Sequence, residues 1–401
     1  MSATRLDEFV RDQQTELATL DPYADLADLE PLRQIVGDAR VVAIGENNHL
    51  IREFSLLRHR ILRFLSERCG FTVYCAESGF AEGWTVQRWL DGGDGEVADI
   101  ARDGITFGLG NSPEVHDTLT WLRERQIPFY GADVPSSGGS PIPSLDAIAE
   151  SLPRVRKLVD AAITAAKPYA STSSATAPAR HAALSQEQRD HATATVTRLF
   201  CYLQTQDDAL ALHHAEGALR LDQYLNEMPS WGGEQLYGEN SSRDYYMART
   251  VRWLLDRHGP DARIVLAIHN GHLQRAPFTM GPATPFLPTG HHLARELGDD
   301  YRAIALTCGT GETTVPHVNA DEPLGFTVGI EALPEAEPDS IEAAFQRVGS
   351  GPALLDLRPA RGRGAPWQRI RHASNQLAAP VADAFDAVIY VPAGTPSTMP
   401  S

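Results

Sequence analysis

The chain has 401 residues, of which 42% are hydrophobic and 22% charged, and its formal net charge at pH 7 is -17. This is the composition of a globular protein with enough residues for one large α/β domain or two domains. The acidic balance argues against nucleic acid and anionic membranes as partners, because both are bound by clustered Lys and Arg side chains.

The sequence also indicates a compartment. It has no run of about 18 apolar residues, so no transmembrane helix is predicted, and the N-terminal segment lacks the apolar core of a signal peptide. The four cysteines form no Cys-x-x-Cys pair, so the pattern predicts neither a zinc site nor a disulfide framework. We therefore expect a cytoplasmic protein with reduced thiols.

The first clear element is a strand that leads into a helix. Residues 41–44 form a continuous apolar run, which is typical of a strand buried on both faces, and Gly45 allows the chain to turn after it. Glu46 and His49 follow in the turn, and residues 50–67 have the apolar spacing of an amphipathic helix. This unit places an acid and a base at the tip of a strand, where open α/β sheets bind ligands.

Further strands follow along the chain, and several of them end on polar residues. Residues 71–76 precede Glu77, residues 127–132 precede Asp133, residues 263–268 precede the histidine pair His269 and His272, and later strands are predicted at 301–307, 353–357 and 387–391. Helices are predicted between them at 84–90, 113–125, 243–258 and 291–297. Alternating strands and helices predict an α/β fold with a mainly parallel sheet flanked by helices.

The middle of the chain differs from both ends. Residues 141–240 lack a convincing strand and are largely helical in composition, so we expect a helical insertion or cap over the C-terminal edge of the strands. The α/β core would then consist of an N-terminal part, residues 1–140, and a C-terminal part, residues 241–401.

The polar residues at the strand tips form the candidate site. In a parallel sheet all C-terminal strand ends face the same edge, so these side chains, distant in sequence, are expected in one cleft: Glu46, His49, Glu77, Asp133, His269 and His272. The alternative is that each is a cap or a buried polar group satisfied by its neighbours.

A histidine beside a carboxylate can remove a proton from water, and Glu46 and His49 are close enough in sequence to form such a pair. A second histidine could donate a hydrogen bond to an oxyanion or protonate a leaving group. There is no Gly-x-Ser-x-Gly elbow. A metal held by residues 269–272 together with the acids is an alternative, but the spacing is not His-Glu-x-x-His. The residues thus favour hydrolysis by activated water, with no metal or other cofactor.

Residues 45–54, with Leu57-Arg58-His59 after them, resemble the opening motif of the erythromycin esterase family. Residues 76–83 resemble its second block and residues 267–274 its third, and residues 243–253 and 292–300 fit as well. The similarity runs from about residue 5 to 395 in matching order and spacing. It is greatest to the metal-independent branch of macrolide-inactivating esterases.

The resemblance implies hydrolysis of a macrolide lactone ester, which would open the ring and inactivate the antibiotic, an antibiotic-resistance activity. It also implies that His49 is the base that activates water, with support from Glu46. By the same resemblance, catalytic roles fall to Arg58, Glu77 and His269. From the residues alone Arg58 would be a surface charge at the border of the apolar helix face.

We further expect His272, Asp133 and Asn270 to contact a small-molecule macrolide or polyketide substrate. The family often has Thr-His-Gly around its first histidine, whereas this chain has Asn-His-Leu at 48–50. Two other functions stay open: a natural-product tailoring enzyme that cyclises or eliminates from another polyketide or lactone, and a non-catalytic binder of haem or metal. The sequence leaves the oligomeric state open.

Overall fold

The computed structural model describes residues 3–171, 173–228, 242–279, 285–319, 321–322, 324–362 and 367–398. Its helices are α1 Ala3–Gln13, α2 Pro31–Val36, α3 Arg52–Cys69, α4 Phe80–Leu90, α5 Val97–Gly104, α6 Pro113–Arg125, α7 Ile142–Ser151, α8 Arg156–Ala166, α9 Ala177–Ala182, α10 Gln186–Leu203, α11 Ala209–Glu227, α12 Ser242–His258, α13 Asn270–Leu273, α14 Thr289–Leu297, α15 Ile341–Val348 and α16 Val381–Ala384.

Its strands are β1 Gln14–Glu16, β2 Val41–Ile44, β3 Val73–Gly79, β4 Phe129–Asp133, β5 Ile264–Ala267, β6 Phe278–Thr279, β7 Pro285–Phe286, β8 Tyr301–Val318, β9 Phe326–Ala332, β10 Ala353–Asp356, β11 Arg369–His372, β12 Asn375–Ala378 and β13 Ala387–Gly394. Among the described residues, nine strands form one sheet in the order β1-β10-β13-β8-β2-β5-β3-β4, with β9 paired to β8. The six strands from β13 to β4 run parallel to one another.

Both faces of this sheet are buried. In β2, Val41 and Ala43 pack into one apolar core, while Val42 and Ile44 pack into another on the opposite face. Helix α12 contributes to the first core and α3 to the second, so helices cover the sheet on both sides. Each large apolar side chain removed from water stabilises the fold by about 1.5–3 kcal/mol. Because both faces of the central strands β2 and β5 are covered by a core, every residue along these two strands is apolar, and they appear in the sequence as continuous apolar runs. The predicted mainly parallel sheet flanked by helices is confirmed.

The middle of the chain holds helices α7 to α11 and no strand between residues 142 and 227, apart from residue 172, which is not described. These helices have a small core of their own, which includes Leu145, Ile148 and Leu199. The division of the chain into a core and an insertion at 141–240 stays a prediction, and residues 229–240 of that range lie outside the described residues. No helix in the described part of the chain is long and apolar enough to span a bilayer.

Among the boundaries that differ from the sequence prediction, two have a clear local reason. The helix expected from residue 50 begins at Arg52, because Leu50 has a positive φ of 58° and Ile51 is extended. The strand expected to end at 307 continues to Val318, and its glycines do not end it. Gly311 has a φ of 101° and lies so close to the backbone of Gly394 in β13 that a Cβ there would overlap it.

Gly131 of β4 allows a close approach between the backbones of β3 and β4 in the part of the sheet that carries the site. A Cβ at this position would overlap the carbonyl oxygens of Ser78 and Gly79 at the end of β3. We expect Gly131→Ala to lower the free energy of unfolding by about 1–3 kcal/mol, as overpacking does, in denaturant titrations. Gly351→Ala is the matched control, because a Cβ at that position meets nothing within 4 Å. Equal effects of the two substitutions would contradict this packing.

Candidate active site

The structure brings the polar residues of the strand tips to one edge of the sheet. Glu46 and His49 follow β2, Glu77 lies at the end of β3, and His269 follows β5. Three of these side chains, those of His49, Glu77 and His269, line a cleft of about 400 Å³. The side chain of His272 in α13 lines the same cleft. These strands are adjacent and parallel, which is why residues more than 200 positions apart in sequence meet here.

His49 is held by a carboxylate that is itself held by an arginine. Its Nδ1 lies 2.7 Å from Oε1 of Glu46, and Nη1 of Arg58 lies 2.9 Å from the same oxygen. Arg58 also donates to the carbonyl oxygens of Gly45 and Ile268, at 3.0 and 2.8 Å. Burial disfavours the imidazolium, but the nearby carboxylates outweigh it and raise the pKa of His49 above its ordinary value.

Glu77 is the central anion of the cleft. Its Oε1 is 3.1 Å from Nη2 of Arg243, 3.5 Å from Nε2 of His272 and 3.9 Å from Nε2 of His49. Its Oε2 accepts a 2.6 Å hydrogen bond from the backbone N–H of His269. Burial raises the pKa of this carboxyl, but the surrounding imidazoles and Arg243 outweigh that effect and hold it well below its usual range. Glu77 is therefore ionised at neutral pH.

Arg243 joins two strand tips from helix α12. It binds Asp133 at 2.6 and 3.0 Å through two nitrogens and reaches Glu77 with Nη2. Burial opposes its charge, but the two carboxylates raise its pKa well above the ordinary value. Asp133 is fully buried, so its contacts are with protein groups: Arg243 and the N–H of Val134.

His269 uses both ring nitrogens within the protein. Nε2 donates to the carbonyl oxygen of Asn47 at 2.9 Å, and Nδ1 accepts from the backbone N–H of Gly271 at 3.0 Å. This pattern fixes one neutral tautomer. Burial, followed by the neighbouring imidazoles His372 and His49, lowers the pKa of His269 well below its ordinary value. In this arrangement His269 positions the loop after β2 and has no free nitrogen for an oxyanion.

His272 forms a second histidine–carboxylate pair across Glu77 from the first. Its Nδ1 is 2.7 Å from Oδ1 of Asp244, which also accepts from the backbone N–H of Thr289 at 2.8 Å. Burial opposes its charge, but Asp244 and Glu77 outweigh it and raise the pKa of His272. His49 and His272 thus each contact a different carboxylate through Nδ1, and both direct Nε2 toward Glu77.

Asn270 and Asp133 are buried and are not among the residues that line the cleft. The Asn270 amide donates to the carbonyl oxygen of Leu306 in β8 at 2.8 Å and accepts from its N–H at 3.3 Å. This places Asn270 as a link between the loop after β5 and the sheet. Direct contact between these two residues and a substrate stays a prediction. The hydrogen bonds described above engage their polar groups with the protein and not with the cleft.

The outer walls of the cleft are largely apolar. Leu109 comes from one loop, and Pro316, Phe326 and Val328 come from the β8–β9 hairpin. Phe107 has a positive φ of 61°, which is uncommon for a bulky residue, and its ring lies nearly parallel to that of His49 with centroids 6.0 Å apart. The cleft lining therefore combines a few ionisable groups with a larger set of apolar ones. This is the usual composition of a small-molecule site.

Several residues of this site were not identified from sequence. Arg243 and Asp244 stand side by side at the start of helix α12, where charged residues are common, and nothing local signals that Asp244 is buried or that Arg243 pairs with buried carboxylates. His372 and Phe107 come from a hairpin and a loop without a periodic pattern. The one sequence signal for Arg243 and Asp244 was the similarity of residues 243–253 to the erythromycin esterase family. Within the described residues, no group of three or more His, Cys, Asp or Glu side chains has the geometry to hold a metal ion.

The cluster of ionisable side chains in a cleft at the edge of the parallel sheet is the arrangement of a candidate enzyme active site. A family model described as "Erythromycin esterase" matches residues 66–394. The chain belongs to the erythromycin esterase family, and it is by this membership a carboxylic ester hydrolase.

Individual members of the family are similar to this chain over nearly its full length. Erythromycin esterase type II from Escherichia coli is 31% identical, and the alignment covers 96% of this chain and 97% of that protein. Erythromycin esterase type I from Escherichia coli is 28% identical and covers 92% of this chain and 94% of its own. A solved structure of a mutant of the erythromycin esterase EreC, in its open conformation, superposes with a TM-score of 0.81 at 26% identity, covering 95% of this chain and 97% of that one.

Proposed function

We propose that this enzyme hydrolyses the lactone ester of a macrolide antibiotic such as erythromycin, using a water molecule activated by His49. The names of the relatives support the substrate. The observation that carries the mechanism is the 2.7 Å contact between Nδ1 of His49 and Glu46, which leaves Nε2 directed into the cleft. A base oriented in this way is what water activation requires.

The position of the water follows from two acceptors. Nε2 of His49 and Oε1 of Glu77 are 3.9 Å apart, too far for a direct hydrogen bond, and one water between them could bond to both. His49 removes a proton from this water as its oxygen attacks the ester carbonyl carbon. Glu46 stabilises the imidazolium that forms, and Arg58 keeps Glu46 in place.

Collapse of the tetrahedral intermediate breaks the bond between the carbonyl carbon and the ring oxygen. The departing alkoxide needs a proton, and His272 is placed to donate it, because Asp244 and Glu77 raise its pKa and so favour the protonated ring. Its Nε2 borders the same carboxylate as that of His49. After product release His49 gives its proton to solvent and His272 takes one up, which restores both imidazoles for the next turnover, while Glu77 stays ionised between them.

The direct test uses intact lactones. Purified protein is incubated with a panel of macrolides and smaller lactones at neutral pH, with and without a chelator, and the products are weighed by mass spectrometry. The proposal predicts a product heavier than the substrate by one water, in both conditions. A product of unchanged mass, or one that has lost a group, would instead indicate a tailoring reaction.

The pH profile tests the assigned base. His49 must be neutral to accept a proton, so kcat/KM should rise with pH as this imidazole loses its own proton, at a pH above its ordinary pKa of 6.5. In Glu46→Gln the carboxylate that raises the pKa of His49 is gone while burial still lowers it. The acid limb should therefore move to lower pH, and the plateau should fall by roughly 10²-fold because a neutral amide no longer stabilises the imidazolium that forms.

The matched control for this variant is Glu53→Gln. Glu53 lies on the same segment but binds the hydroxyl and N–H of Thr395, outside the site. Its profile should match that of the wild type. An acid limb that stays in place in Glu46→Gln would mean that another group limits the rate.

A further inference from the structure

His372 is an imidazole of the cleft to which the mechanism above gives no task. It ends strand β11, and the next residue, Ala373, donates its N–H to the carbonyl oxygen of Asn47 at 2.7 Å, which fixes the hairpin to the loop after β2. The His372 ring meets the ring of His269 edge to face at 4.6 Å. A Cβ on Gly271 would lie 3.2 Å from its Cε1, so a glycine at 271 leaves room for the ring.

The other imidazoles of the cleft have their nitrogens engaged. Both ring nitrogens of His269 form hydrogen bonds with backbone groups. In His272, Nδ1 faces Asp244 and Nε2 faces Glu77. His49 has Glu46 at Nδ1 and needs Nε2 for water. The guanidinium of Arg243 is bound by two carboxylates. Each nitrogen of these three imidazoles thus has a contact within the protein or a step in the proposed mechanism.

His372 differs in this respect. Its Nδ1 is buried and has no hydrogen-bond partner among the described residues, so Nε2 is the nitrogen that is left for the cleft. Burial and the neighbouring imidazoles lower its pKa to about 4, so the ring is neutral at pH 7. A neutral imidazole carries one N–H, and an N–H buried without an acceptor is costly. The proton therefore belongs on Nε2, facing the substrate.

We propose that His372 donates its Nε2–H to the ester carbonyl oxygen and stabilises the oxyanion of the tetrahedral intermediate. This rests on the proposed hydrolysis. The step adds no proton transfer: the carbonyl oxygen becomes an oxyanion when the water oxygen bonds to carbon, and the charge returns to the carbonyl when the ring C–O bond breaks. Preorganised donors of this kind act most strongly in a cleft from which substrate excludes water.

The test compares His372→Phe, which keeps the ring and removes the donor, with His372→Gln, which keeps an N–H on a shorter side chain. Loss of one oxyanion donor lowers kcat by about 10²–10³-fold, and we expect a loss of this size in His372→Phe with KM changed less than about threefold. His372→Gln should recover at least about tenfold in kcat over the Phe variant. His191→Phe is the control, because His191 is exposed on α10, and it should match the wild type.

Each result is decisive once the folded state of the variants is confirmed by circular dichroism. A rise in KM with kcat unchanged, equal losses in the Phe and Gln variants, or no loss at all would overturn the assignment of His372. If His372→Phe does not fold, the comparison of His372→Gln with His372→Ala replaces it, with the same expected rescue. The wild-type enzyme separates the two proposals, because failure of the proposed function would appear as no hydrolysis before any substitution is made.

Discussion

His49→Ala should lower kcat for lactone hydrolysis by about 10³-fold or more while the protein stays folded. A positioned general base contributes about 10²–10⁴-fold to the rate, and this variant removes the ring that Glu46 orients. KM should change little, since His49 acts on water and not on the bound ring. Steady-state kinetics with an intact macrolide, followed by mass spectrometry, measures both constants.

Two controls make the result specific. His191→Ala removes an exposed imidazole from helix α10 and should leave kcat unchanged. The melting temperature of His49→Ala should stay near that of the wild type, because the ring is partly exposed in the cleft. A folded His49→Ala enzyme that turns over at the normal rate would remove His49 from the mechanism.

The largest effect on stability is expected for Arg243→Met. Arg243 is the cation between Glu77 and Asp133, whose side chains are 5% and 0% exposed, so the substitution removes the guanidinium that two buried carboxylates share. Removing one member of a buried ion pair costs about 3–5 kcal/mol. Denaturant unfolding at pH 7 should show a loss of this size, together with a large loss of activity.

The pH dependence of this loss has a predicted sign. The folded-state pKa of Glu77 is depressed below its ordinary value of 4.5, so its ionisation stabilises the wild-type fold above that pH and the contribution is lost as pH falls further. In Arg243→Met the carboxyl loses one of the groups that depress its pKa. The stability difference between wild type and variant should therefore shrink as pH falls below about 4.5.

Arg249→Met is the control on the same helix. Arg249 is 45% exposed and lies 3.6 Å from Glu216, an interaction largely screened by solvent. Its loss should change the free energy of unfolding by less than about 1 kcal/mol. Equal losses of unfolding free energy in the two arginine variants would contradict the stabilising role of Arg243 between the buried carboxylates Glu77 and Asp133.

The sequence was most informative where the backbone pattern is regular. Continuous apolar runs predicted the central strands β2 and β5, and the rule that parallel strands end at one edge predicted which polar residues to examine. Glu46, His49 and Glu77 are found by this reasoning because each directly follows or ends such a run. The amphipathic pattern likewise predicted helix α3, with an error of two residues where a positive φ at Leu50 delays its start.

The residues that escaped prediction are those placed by tertiary contacts. Arg243 looks like any charge in the first turn of a helix, and only the folded structure shows that it pairs with the buried Asp133. His372 reaches the cleft because Ala373 binds the loop after β2, a contact that spans more than 300 residues. The positive φ of Phe107 has no sequence signature in a non-glycine residue. The β8–β9 hairpin was not predicted, because the strand predicted at 301–307 stops short of the residues that pair with β9.

A single turnover in ¹⁸O-labelled water tests the central claim most directly, with enzyme in excess over an intact macrolide and the product fragmented by mass spectrometry. Direct attack of a His49-activated water predicts one solvent oxygen in the new carboxylate and none in the released hydroxyl, with the rate of labelling strongly reduced in His49→Ala. Label in the hydroxyl, label retained on the enzyme, or an unlabelled product of unchanged mass would contradict it.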